Sequence, residues 1–286
     1  MNALVIARNT VGDALRKRVL LVFLLIAIVM LFLSLFLAYF TQREQLVIFK
    51  SVAFVILLVF GGLISITTSI FLIPNEVEKR TIYSVLSKPV QRWEFFIGKF
   101  LGGAFTVLIT LGLMAVVLAV VVFMMSAQPP AGVELQSTVT QQVQKLDVGD
   151  WMRRGFRELA LITRGTSVIY FELVVLTAIA TTLSLFLTPT VNFAVTALLF
   201  IVGSFQDVLA AWTRRPDFVI ARWVAALFYY ITPHFQDFNI MANIVHPEVA
   251  LKSSPVLYAI QVSAYGVVYA MVLLLAGILV FDQKEV

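Results

Sequence analysis

Apolar runs long enough to cross a bilayer alternate with short polar breaks along most of this chain. Val19 to Phe40 is 22 residues without a charge, about 33 Å as a helix and so matched to the hydrocarbon thickness. A polar hairpin over 41–50 returns the chain through a second run, 51–73. The third run, 100–127, stops at Gln128-Pro129-Pro130, where proline removes the donor that a continuing helix needs. A fourth covers 166–187, and Thr188-Pro189-Thr190 turns the chain tightly into a fifth over 191–212, ending between Phe205 and Trp212. The last spans 255–281. The pattern predicts an all-α polytopic membrane protein: one transmembrane domain of six spans over residues 1–286.

The polar breaks carry structure of their own. Residues 1–18 put Leu4, Ala7, Val11, Ala14 and Leu15 on one helical face and Asn9, Asp13, Arg16 and Lys17 on the other, which suits an interfacial helix. A plain positive flank to the first span reads almost as well. In 128–165, Asp150 is placed to cap a helix through Trp151-Met152-Arg153-Arg154-Gly155-Phe156-Arg157, lying at head-group level with its arginines snorkelling. In 213–254, the sixteen-residue piece from Asp217 to Thr232 carries Asp217 and Arg222. It is too short and too charged for a seventh span and reads as re-entrant or interfacial.

The densest charge lies in 74–99, between the second and third spans. Glu76, Glu78, Lys79 and Arg80 open it, and Ile82, Tyr83, Val85 and Leu86 follow as an apolar stripe at helical spacing. Ser87-Lys88-Pro89 interrupts the helix. A second amphipathic piece, Gln91-Arg92-Trp93-Glu94-Phe95-Phe96, leads through Gly98-Lys99 back into the apolar phase. Two short amphipathic helices about a proline exceed what a returning loop requires, and they suit a docking surface.

Composition agrees with a membrane protein: 60% hydrophobic, 13% charged and a mean hydropathy of +0.97, against roughly 25% charged for soluble domains. The net charge of +5 serves orientation and anionic lipid head groups in so apolar a chain, rather than nucleic acid. There is no cysteine, hence no disulfide or thiolate site. The first apolar run is too long for a signal-peptide core and reads as a retained span. With both termini inside, the inner segments hold ten Lys and Arg and the outer ones eleven. The inner ones occupy about half the polar length and cluster beside the first three spans, where the positive-inside rule weighs most; the arginines at 153, 154, 157 and 164 pull the other way.

Little here can do covalent chemistry. Gly98-Lys99 has Trp93 where a phosphate-binding loop needs glycine. His234 and His246 are too far apart for a one-turn metal pair, and protease motifs are absent. The expectation is no catalytic residue, no cofactor and no metal on this chain. Glu172 is the one ionisable side chain well inside an expected span. A carboxylate there costs about 2.5–3.5 kcal/mol at mid-bilayer, so it faces protein or a wet cavity: either a residue of the translocation path, or an acid that reaches the interface or pairs with Arg164. Gly98-x-x-x-Gly102 and Gly61-Gly62 permit close helix approach within the subunit or across a dimer seam.

The order Glu78-Lys79-Arg80-Thr81, an apolar run, Leu86-Ser87-Lys88-Pro89-Val90, then Arg92-Trp93-Glu94 and Gly98-Lys99 resembles the cytoplasmic loop of ABC-2 type permeases, the membrane subunits of ATP-binding-cassette exporters. Arg80 stands where that family often has glycine. Pro233 to Asn239 is similar to the Pro-Asn/His-aromatic segment that such permeases carry before their last span. The resemblance implies a permease subunit in the bacterial inner membrane, with cytoplasmic termini, a second permease copy or paralogue, membrane lipids around it and two cytoplasmic ATPase subunits that bind ATP and Mg. It implies that 74–99 is the coupling loop, with Glu76, Glu78, Lys79, Arg80, Thr81, Tyr83, Pro89, Arg92 and Trp93 touching the ATPase. The apolar spans fit export of a lipid-like or amphipathic substrate; a short peptide or polysaccharide stays open. The rival classes are a secondary transporter or channel without an ATPase, for which one glutamate and no visible repeat are thin support, and a non-transporting membrane scaffold.

Overall fold

The computed structural model describes residues 3–39, 45–72, 91–126, 148–213, 219–239 and 255–283, and every regular element among them is helical. In chain order these are α1 (Ala3–Leu15), α2 (Arg18–Tyr39), α3 (Gln45–Ile70), α4 (Arg92–Ser126), α5 (Val148–Leu183), α6 (Pro189–Ser204), α7 (Gln206–Thr213), α8 (Val219–Ile231), a 3₁₀ turn (Phe235–Phe238) and α9 (Pro255–Gln283). Helices α2, α3, α4, α5 and α9 are each long and apolar enough to cross a membrane, and α6 with α7 makes a sixth candidate bent by 70°. The protein is a polytopic all-α membrane protein.

Helix α5 is the axis of the bundle. Every residue from Glu172 to Thr181 is buried, on all faces of the helix, with α3, α4, α6 and α9 packed around it. Small side chains in this stretch, Thr177, Ala178, Ala180 and Thr181, let backbones approach closely. Between α3 and α5 the Ser65 and Thr177 hydroxyls lie 2.8 Å apart, and Ser65 Oγ donates to the Leu173 carbonyl at 3.2 Å. Asn192 Nδ2 of α6 donates to the Ala180 carbonyl at 2.9 Å. The Ser65, Thr177 and Asn192 side chains are thereby satisfied inside protein, as a membrane interior requires. Helix α2 is peripheral: Leu20, Ala27, Leu31 and Ser34 form its buried stripe, while Val22, Leu25, Phe32 and Phe36 are exposed. In hydrocarbon such exposure carries no hydrophobic penalty.

Several elements differ from the sequence expectations for local physical reasons. Helix α5 begins at Val148, so the separate surface helix expected from Asp150 is its first turns. Gly155 does not break it, because a Cβ there would lie 2.5 Å from the Phe123 ring of α4; the glycine admits a neighbour. Helix α4 starts at Arg92, and the expected amphipathic piece and Gly98-Lys99 junction sit within this unbroken helix. Helix α3 starts at Gln45, inside the expected hairpin, and its buried Lys50 reaches Glu158 of α5 at 2.9 Å. The fifth run breaks at Phe205, whose N–H bonds the Val202 carbonyl. Gly203 at that bend seats the Phe235 ring, 2.5 Å from where a Cβ would be. Helix α8, the piece expected to be re-entrant or interfacial, has 13 residues, about 20 Å and too short to cross.

At the N-terminus, α1 lies along the start of α4. A Cβ on Gly98 would meet Ile6 Cβ at 2.8 Å and the Ala3 carbonyl at 2.9 Å; one on Gly102 would meet Thr10 Cβ at 2.5 Å and the Ala7 carbonyl at 3.0 Å. The Gly-x-x-x-Gly pair therefore serves packing within the chain. The buried face of α1 is Ile6, Ala7, Thr10 and Ala14, rotated from the expected one: Leu4 is exposed.

Candidate functional site

Among the residues expected to contact an ATPase, Glu76, Glu78, Lys79, Arg80, Thr81, Tyr83 and Pro89 lie outside the described residues. Arg92 is the first residue of α4. Trp93 stands beside it, 46% exposed, its Nε1 donating to the Gln91 side-chain carbonyl. A large aromatic ring at the head of a helix, half out of the protein, is suited to contact a partner.

Directly behind Trp93 the chain is anchored. Phe95 and Phe96 are buried, and their rings stack on Phe281 of α9 with centroids 6.2 and 6.1 Å apart. Ile6 of α1, Leu72 just after α3 and Leu185 of the α5–α6 turn complete the cluster. Gly277 of α9 makes the slot for Phe96: a Cβ there would lie 2.6 Å from the ring's Cζ. Lys99 Nζ sits 5.6 Å from the Phe95 centroid, a cation over an aromatic face. Leu72 is the last described residue before the 73–90 connection and Phe95 lies just after it, so both ends of that connection enter one apolar cluster. Through it they touch α1, the α5–α6 turn and the end of α9. The α5–α6 turn is itself stiff, with Thr188 at the N-cap position and Pro189 at N1 of α6.

Glu172 is held elsewhere. It is 3% exposed on α5, eleven residues from Leu183 and so about 16 Å from that helix end. It lines a cavity between α3, α5, α6 and the 3₁₀ turn. The expected partner Arg164 does not pair with it among the described residues. Glu172 and the Trp93 end of α4 are separate places in the fold.

A search of curated proteins returns no match. The family model for "ABC-2 family transporter protein" matches residues 4–286, nearly the whole chain. The chain belongs to the ABC-2 transporter family. As an ABC-2 family member it is a component of membrane transport and not itself the catalyst, and partnership with an ABC ATPase follows from the family. Sequence reasoning missed the buried side of the ABC-2 protein's loop attachment, Phe96, Gly277 and Phe281. The adjacent aromatic pair Phe95-Phe96, two and three residues after Trp93, was the available signal.

Proposed function

We propose that this chain is the permease subunit of an ABC exporter in a bacterial inner membrane, with N- and C-termini in the cytoplasm. It works with a second permease copy or paralogue and with two ATPase subunits that hold ATP and Mg. Residues 74–99 form the coupling loop, and Glu76, Glu78, Lys79, Arg80, Thr81, Tyr83, Pro89, Arg92 and Trp93 are its ATPase contacts. The observation that supports this most is the shared cluster of Leu72, Phe95, Phe96 and Phe281, which joins both ends of the loop to α1, the α5–α6 turn and α9.

The mechanism is mechanical. ATP closes the ATPase pair and displaces the loop. Because α4 runs unbroken from Arg92 to Ser126, its head cannot move without carrying a whole span. The stacked phenylalanines pass the displacement to α9 and, through Leu185, to the α5–α6 turn. The substrate is lipid-like or amphipathic, in keeping with apolar spans, and Glu172 belongs to its path.

Exposed ion pairs add little affinity, about 0–1 kcal/mol each, so Tyr83 and Trp93 dominate the contact. The test is recovery of a nucleotide-binding subunit with the tagged chain from its native membranes. Trp93→Ala and Tyr83→Ala are expected to lower recovery severalfold while leaving the chain's own yield unchanged; undiminished recovery with both removes the loop from the contact. ATP hydrolysis stimulated by substrate separates this reading from a secondary transporter or scaffold.

A further inference from the structure

The cavity that Glu172 lines has a volume of about 180 Å³. Its walls are apolar, formed by Phe54 and Leu58 of α3, Ile169 of α5, and Phe235 and Phe238 of the 3₁₀ turn. The space exists because α6 ends at Ser204 and the chain bends there by 70°, so a straight span does not fill the gap beside α3. Gly165, Ile169 and Glu172 fall at i, i+4 and i+7 on one face of α5, which brings the carboxylate into the cavity. Val55, 48% exposed, and the exposed Asn239 stand at its mouth. Gln236, also in the lining, is hydrogen-bonded to the Asp207 carboxylate and receives the Asp207 N–H at 2.8 Å, so a second acid stands near the rim.

Two independent facts set the chemistry of a ligand. The Glu172 carboxylate is almost wholly buried and has no hydrogen-bond or ion-pair partner among the described residues. Among the described residues, no Lys, Arg or His contributes to the lining. A buried carboxylate without compensation is costly, and a cation brought in against it offsets that cost. Ser204, Gln236 and Asn239 are the other polar residues of the lining; the rest is apolar, which an alkyl group satisfies.

We propose that this cavity is a binding site for a cationic amphiphile, its ammonium head against Glu172 and its chain leaving past Val55 towards lipid. The volume accommodates the head and a few methylenes, not a whole lipid. That this ligand is the exported substrate rests on the export reading above; that it binds does not.

The test uses the full chain purified in a maltoside detergent, whose head groups are neutral, and radiolabelled dodecyltrimethylammonium as the probe. Saturable binding of one probe per chain is expected, with little displacement by excess dodecyl sulfate. Glu172→Gln keeps the shape and removes the charge, and is expected to weaken binding at least tenfold. Val55→Trp, at an exposed position, blocks the mouth with the carboxylate intact and is expected to do the same. Binding within twofold of the unmodified chain in either folded variant, or equal binding of a neutral dodecyl probe, overturns the proposal. Should Glu172→Gln fail to fold, Val55→Trp alone decides. No ATPase is present in this assay, so its failure leaves the coupling loop standing, and a failed co-purification leaves the cavity standing.

Discussion

The slot that receives Phe96 offers a perturbation whose size follows from the geometry. Gly277 would place a Cβ 2.6 Å from Phe96 Cζ and 2.9 Å from Cε1, with Thr182 Oγ1 at 3.4 Å. Ordinary carbon contacts are about 3.5–4.0 Å, so Gly277→Ala must displace the ring by about 1 Å. The ring has nowhere free to go: it is 0% exposed and stacked on Phe281. Overpacking of this kind costs about 1–3 kcal/mol. Phe96→Ala empties the slot instead and costs about 3 kcal/mol, the low end for a buried phenylalanine, because a glycine-faced site can partly collapse. The double variant should not be additive, since the new methyl group occupies space that the ring has left. We expect a coupling of at least about 1 kcal/mol in favour of the pair, read from reversible unfolding in mixed detergent micelles. Additivity within about 0.5 kcal/mol, the behaviour of distant sites, would refute the packing described for the loop's root.

Removing Glu158 as Glu158→Leu leaves Lys50, only 3% exposed, without its described partner. The expected loss is about 2 kcal/mol, below the 3–5 kcal/mol of a fully buried pair because Glu158 is 21% exposed; Lys50→Met in the same chain should restore most of it in the same unfolding assay. Gly102→Val drives a side chain into Thr10 and the Ala7 carbonyl, and should free α1, seen as new protease cleavage before Arg18 with the rest of the bundle intact. Trp93→Ala should shift the unfolding midpoint little, because the ring is half exposed, in contrast to Phe96→Ala; equal destabilisation by the two would contradict the outward role of Trp93.

The spans were legible because a bilayer imposes a length on apolar runs, and the runs before and after the charged loop are uninterrupted. What the sequence concealed was continuity. Asp150 looked like a cap and Gly98-Lys99 like a short junction ahead of the third span, yet α5 and α4 pass through both regions. In each case a glycine faces a neighbouring helix, Gly155 against Phe123 and Gly98 against Ile6, and the contact that holds the helix straight is distant in sequence. The bend at Phe205 was hidden for the same reason: Phe235, thirty residues on, fills the notch at Gly203. Glu172 was conspicuous as a buried charge, but the cavity it lines depends on that unforeseen bend.

If the 74–99 loop receives an ATPase, as proposed, the two chains meet at the rings of Tyr83 and Trp93. The most direct measurement is photocrosslinking in intact cells from benzoylphenylalanine placed at Trp93 and at Tyr83. An adduct with a nucleotide-binding subunit is expected from each position. Adducts that lack any ATPase, together with labelling of both positions by an impermeant reagent from outside the cell membrane, would contradict it.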